Sequence, residues 1–186
     1  MKARLILLLL GSLLTSCVAL VVVGAAGGMV VYDNRSIPMI EKDGRIFHLI
    51  HTKIVRDQDF QTSRIVVSSF NRTVLLAGQV ENSSLKAIAE KIAQQTPNVR
   101  RVYNQIEVGQ KISIAEQSKD SWITGEVKTK MLAAKDLESG SIRVVTEKGV
   151  VYLLGIVTQE QANLAVSVAR QIKGVRKVVK IFQYIR

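Results

Sequence analysis

Hydrophobic positions along the chain follow a helical spacing, then an alternating one, and this succession occurs twice. Ile46, Leu49, Ile50 and Ile54, with Lys53 among them, recur at three- and four-residue steps, as one face of an amphipathic helix requires. Ile123, Val127, Met131 and Ala134, with Lys130, repeat that stripe. After the second stripe, Ser141–Thr146 and Val150–Val157 read as two strands joined by Glu147-Lys148-Gly149, where Gly supplies the positive φ of a tight hairpin. Asn71 occupies the hairpin loop of the first copy, and Asn tolerates the same conformation. A further helix is expected over about 82–95 and about 159–173, and a last strand over about 100–108 and about 176–185. Each copy therefore has the order αββαβ.

The copies align at a shift of about 77 residues. Ile46 meets Ile123, Thr52 meets Thr129, Ile65 meets Ile142, Leu76 meets Leu153, Gly78 meets Gly155 and Val80 meets Val157. One residue is then lost, and Val99-Arg100-Arg101-Val102 meets Val175-Arg176-Lys177-Val178. Two copies of a long period point to tandem small domains rather than a solenoid. The expected modules are residues 45–108 and 119–186, joined by a polar linker over 109–118.

The strands of the second copy are apolar on both sides. Ile142, Val144, Val151, Leu153 and Val157 take one face, and Val145, Val150, Tyr152, Leu154 and Ile156 take the other. Two helices cover only one face of a three-stranded sheet, so the second face needs a cover of its own. Val66, Leu75 and Ala77 stand on the corresponding face of the first copy. The expectation is that the two sheets pack against each other with the helices outward; a separate protein partner is the alternative.

The N-terminus carries a different pattern. Lys2 and Arg4 precede an apolar run from Leu5 to Leu14, followed by Thr15-Ser16-Cys17, and this resembles a bacterial lipobox. The resemblance implies a signal peptide over 1–16, cleavage before Cys17, lipid on its thiol and amine, and a tether over 17–44. A signal anchor is the other reading, because Leu5 to Val31 has no charged side chain and is long enough to span a bilayer. Cys17 is the single cysteine, so once acylated it leaves no thiol for a disulfide or a metal. Removal of Lys2 and Arg4 leaves 24 basic and 15 acidic side chains, +9. Outside the cytoplasm such a charge meets anionic lipid head groups rather than nucleic acid.

No catalytic constellation is present, and no cofactor is expected. His48 and His51 lack a third ligand type nearby and read as surface histidines. The pairs Glu41/Asp43 and Asp57/Asp59 read as loop charge or turn caps, and Gly24 and Gly28 as a helix-packing pair or a flexible tether. Neither zinc spacing nor a phosphate-cradling glycine loop occurs. The cluster Arg170, Lys173, Arg176, Lys177 and Lys180 reads as an ordinary solvated face.

One helix stands out. At about 100° per residue, Leu132, Lys128, Gly125 and Thr129 fall away from the Ile123 stripe, with Trp122 toward the edge of that outer face. A tryptophan, a leucine and a lysine there suit a membrane interface, with indole at head-group level and Lys on lipid phosphate. Trp122 folded back as a lid on the core, with Leu132 packed on the linker, is the other reading.

The modules resemble BON domains. The residues that carry this are the hairpin Val144–Val157, the Ala-rich helix after it, and Gly174-Val175-Arg176-Lys177-Val178; Asp120-Ser121-Trp122-Ile123-Thr124 is a close match too. Two such modules behind a lipobox resemble the dual-BON outer-membrane lipoproteins. That resemblance implies an α+β fold of two tandem modules, each a three-stranded mixed sheet with two helices on one face. It implies a non-enzymatic protein on the periplasmic side of the outer membrane, since Val18 is not the Asp that retains lipoproteins in the inner membrane. It further implies binding of anionic phospholipid through Trp122, Gly125, Lys128, Thr129 and Leu132, and a role in envelope integrity and division. A protein-binding adaptor for an envelope enzyme or assembly machine is the rival.

Overall fold

The structure, a computed structural model, describes Asp33 and residues 35–185. Cys17, the segment 1–16 and the Gly24/Gly28 pair lie outside the described residues. The first module consists of α1 (Ile37–Arg56), β1 (Arg64–Phe70), β2 (Thr73–Val80), α2 (Ser83–Gln94) and β3 (Arg101–Val108). The second repeats the order as α3 (Ile114–Ala133), β4 (Ile142–Glu147), β5 (Val150–Val157), α4 (Gln159–Arg170) and β6 (Lys177–Tyr184). A short 3-10 turn precedes the first strand of each module. Each sheet is mixed: β1 is antiparallel to β2 and β3 parallel to it, and β4, β5 and β6 repeat this. The parallel strand is reached through α2 or α4, the crossover a parallel pair needs. The α+β tandem architecture expected from the sequence is the one observed.

Two boundaries move. α1 begins at Ile37, inside the stretch 17–44 read as tether, because Pro38 suits the first helical turn, where its missing N–H is no loss. α3 begins at Ile114, inside the expected linker 109–118. Ser113 and Glu116 form a capping box that starts the helix there: the Ser113 hydroxyl accepts the Glu116 N–H, and the Glu116 carboxylate accepts the Ser113 N–H at 2.9 Å.

The stripes bury as their spacing requires. Ile46, Ile50 and Ile54 of α1 pack with Val67, Val74, Leu76, Val80 and Ile106, and Ile123, Val127 and Met131 of α3 pack with Val144, Val151, Leu153 and Val157. Gly78 and Gly155 match in the repeat because each lies against its antiparallel neighbour. A Cβ at Gly78 would collide with the Arg64 carbonyl, and one at Gly155 would come to 2.8 Å from the Ser141 carbonyl. Both hairpins turn through two residues of positive φ, Asn71-Arg72 and Lys148-Gly149, the form whose twist suits flanking strands.

A third core lies between the modules. Phe70, Leu75 and Ala77 from the first sheet are buried against Tyr152, Leu154 and Ile181 from the second, with Val145, Val150, Ile156 and Tyr103 at its margin. The second face of each sheet is thus covered by the other sheet, and the helices lie outside. Polar contacts stitch the seam. Arg64 Nε donates to Glu147 Oε1 at 3.1 Å, and Gln79 Nε2 donates to the same oxygen at 3.1 Å. Gln79 Oε1 in turn accepts the N–H of Ile112, in the connection between the modules.

Asp43 corrects the reading of the Glu41/Asp43 pair as loop charge. Both lie on α1, and Asp43 is 3% exposed. Its carboxylate accepts the backbone N–H of Asn71 and Arg72 at 2.6 and 2.8 Å and the Ser69 hydroxyl at 2.9 Å. Arg35 adds a fourth bond at 2.7 Å and lies 4.2 Å from the centre of the Phe70 ring, so the start of the described chain is fixed to the seam. Asp57 does cap a turn, accepting the Asp59 N–H.

Candidate functional site

The outer side of α3 is built by the packing of its inner side. Burial of Ile123, Val127 and Met131 fixes the helix rotation, and the residues between them must face out. Trp122 is 51% exposed and Leu132 36%. Gly125, Lys128 and Thr129 are exposed. The indole is therefore not a lid on the core. Thr124, on the flank toward the sheet, bonds Thr146 of β4 through its hydroxyl at 2.8 Å and holds the helix in register.

Beside the C-terminal half of α3 runs a groove of about 340 Å³. Lys128, Thr129 and Leu132 form one wall; Met131, Ile142 and Val144 give it an apolar floor, and Ser139 and Gly140 close the other side. Lys128 makes no ion pair among the described residues, so its ammonium is available at the rim. The groove brings together Lys128, Thr129 and Leu132 of the five expected residues. Trp122 and Gly125 lie further toward the helix N-terminus and do not line it.

The first module has the matching groove, about 310 Å³, between Ile54, Val55 and Ile65. Here the chain itself intrudes. Arg64 lies in it and donates to Gln117 Oε1 at 3.0 Å, and Lys111 from the connection lines it as well. At the positions of Trp122 and Leu132 the first module has Arg45 and Val55. The two modules are therefore unequal at this place: one groove is apolar and open, the other is crossed by a paired guanidinium.

His48 and His51 are exposed, and His51 stacks on Phe47 with ring centres 5.3 Å apart. Among the described residues no three His, Cys, Asp or Glu side chains cluster as metal ligands would, and no helix is long and apolar enough to cross a membrane.

The family model of the BON domain matches residues 42–110 and 119–186. The chain is 39% identical over 174 residues to the outer membrane lipoprotein DolP of Haemophilus influenzae, covering 92% of this chain and 90% of that one. It is 38% identical over 126 residues to a 21 kDa hemolysin of Actinobacillus pleuropneumoniae, covering 68% of this chain and 65% of the relative. It is 30% identical over 139 residues to the osmotically-inducible protein Y of Escherichia coli, covering 73% and 69%.

Proposed function

Because the chain belongs to the BON domain family and carries two copies of the domain, we propose that it is a lipoprotein of the outer membrane that binds anionic phospholipid through α3. Similarity along nearly its whole length to a protein named as an outer membrane lipoprotein supports the location. Cys17, at the end of the lipobox-like run, is the proposed site of lipidation, and the folded modules then face the periplasm. The reading assigns no reaction to the chain; its role is to hold and sense membrane in support of envelope integrity.

The observation that carries the lipid reading is the exposure of Trp122 and Leu132 on the helix that also presents unpaired Lys128. Leu132 enters the acyl boundary, Trp122 rests at head-group depth, and Lys128 meets phosphate. Thr129 adds a hydroxyl, and Gly125, exposed and without a side chain, lets the helix backbone approach the surface. The adaptor reading would use the same face for protein.

Tryptophan fluorescence separates the two, because Trp122 is the single Trp. The chain from Val18 onward, mixed with phosphatidylglycerol vesicles, should shift its emission to the blue. Phosphatidylcholine vesicles should leave it unchanged. A folded protein with no shift on anionic vesicles would leave the adaptor as the better account.

A further inference from the structure

Two clefts open at opposite ends of the seam between the sheets, and they correspond under the repeat. One, about 280 Å³, lies between the start of β3 and the end of β6; the other, about 580 Å³, lies between the end of β3 and the start of β6. Each receives two cations from the same place in its module, Arg100-Arg101 in the smaller and Arg176-Lys177 in the larger. The floors differ. In the smaller cleft the hairpin of the first module closes down through neutral bonds, Asn71 Nδ2 to Gln183 Oε1 at 2.7 Å and Gln183 Nε2 to Thr73 Oγ1 at 3.1 Å. In the larger, the matching bond is charged: Lys148 Nζ to Glu107 Oε2 at 2.8 Å.

The smaller cleft is lined by Tyr103, whose hydroxyl accepts from Arg101, and by Tyr184; the phenol of the larger cleft is Tyr152. It stands where the first module has Leu75, a residue with no polar atom to offer. The ring of Tyr152 is buried, the residue being 6% exposed, while its hydroxyl bonds no partner among the described residues and is open to solvent in the larger cleft, where a ligand can take the place of water. Burial, with Glu107 and Glu147 nearby, pushes the Tyr152 pKa up to about 12, so it keeps its proton as a donor at any physiological pH. Gln105 lines the same cleft. Lys86, Arg176 and Lys177 stand on its rim with no ion pair among the described residues, and Glu107 is the one carboxylate of the lining.

We propose that this cleft binds a phosphate ester bearing a small hydroxylated group, such as phosphoglycerol or a phosphosugar. Arg176, Lys177 and Lys86 take the phosphate, for which guanidinium and ammonium donors are suited. The Tyr152 hydroxyl and the Gln105 amide take a ligand hydroxyl. The volume suits a ligand of this size. The chemistry is shared by a lipid head group and a free phosphoester. The site is separate from the outer face of α3 and does not rest on it.

Calorimetric titration of the full chain, held in neutral detergent, with glycerol 3-phosphate tests the site. Saturable binding is expected, weakened about fivefold in Tyr152→Phe and about tenfold in Arg176→Ala. Leu132→Glu should bind glycerol 3-phosphate as the wild type does, which keeps this test independent of the membrane test on α3. Repeating the titration in phosphatidylcholine vesicles, with and without phosphatidylglycerol, identifies the source. Competition by phosphatidylglycerol assigns the site to a lipid head group, and unchanged affinity assigns it to a soluble phosphoester. Absence of saturable binding, or wild-type affinity in Tyr152→Phe, overturns the proposal.

Discussion

Asp43 and Asp120 hold the same station in the two modules. Each leaves its helix from the buried face and accepts two successive backbone N–H groups of its own module's hairpin turn, Asn71 and Arg72 for one, Lys148 and Gly149 for the other. Asp120 makes its two bonds at 2.5 and 2.8 Å. Both turns need positive φ at both central residues, and in the first neither residue is glycine. The carboxylate holds in place a backbone that Asn and Arg adopt at a cost.

Asp120→Ala should therefore lower stability by about 2–3 kcal/mol, since charged acceptors contribute more than neutral ones and the Gly149 N–H is buried. Asp43→Ala should cost more, about 3–4 kcal/mol, because it also removes the bonds from the Ser69 hydroxyl and from Arg35, which is left with Asp33 as its one carboxylate partner among the described residues. Chemical denaturation of both variants measures the order. Equal and small losses would show that the turns hold themselves.

Leu154 is 1% exposed in the core between the sheets. Leu154→Lys should destabilise the chain by several kcal/mol, on the order of an unpaired buried charge. The midpoint of urea unfolding and the hydrodynamic radius report it. A variant with unchanged midpoint and radius would mean that the seam opens freely.

Leu132→Glu should reduce affinity for phosphatidylglycerol vesicles at least about tenfold, since burying a leucine in an apolar phase contributes roughly 1.5–3 kcal/mol. Lys128→Ala should cost less, and its deficit should shrink as salt rises, because its attraction is screened. Vesicle sedimentation across a salt series separates the two contributions. A Lys128 effect indifferent to salt would remove the phosphate contact from the account.

Tyr152 makes stability depend on alkaline pH. Its pKa in the folded chain, raised chiefly by burial to about 12, exceeds the unfolded value of 10.0. The contribution is whole below pH 10 and is lost as pH rises toward 12, at about 1.4 kcal/mol per unit. Tyr152→Phe should flatten that part of the stability profile. Ultraviolet titration of the phenolates gives a second reading, in which the phenolate of Tyr152 appears late and is missing from the variant.

Cys17→Ala should leave an unprocessed precursor that takes up no labelled palmitate, while the wild type is labelled and shortened. Identical processing of the two would favour the signal anchor.

Periodicity carried much of the fold. Ile46, Ile50 and Ile54, and Ile123, Val127 and Met131, are buried because a helix has only one way to turn such a stripe inward. The double-sided β5 announced the second sheet, since Val151 and Leu153 were satisfied by helices and Tyr152 and Leu154 were not. The exposure of Trp122, Lys128 and Leu132 followed from the same stripe. Asp43 was missed although the signal existed: it lies one turn before Ile46, as Asp120 lies before Ile123, a charged residue on a buried face. Its partners are the N–H groups of a turn far along the chain, and spacing along a helix carries no information about those. Ser113 and Glu116 were likewise a legible helix start inside a stretch that composition alone marked as linker. The Tyr152 cleft was not legible, because β3 and β5 belong to different repeats and meet only once the sheets are packed.

The seam has one further consequence. Asn71 reaches Gln183 at one end, and Lys148 reaches Glu107, the counterpart of Gln183, at the other. In this pair of bonds each half gives to its sister what it receives, as an isologous interface would; the bonds of Arg64 and Gln79 to Glu147 have no counterpart, because Ser141, Ile156 and Phe70 stand at the matching positions. A lone second module would expose the face that holds Tyr152 and Leu154, which the first module's Phe70, Leu75 and Ala77 cover. Two modules in one chain can differ where two identical subunits cannot: one groove is lined by Leu132 and Met131, the other is crossed by Arg64.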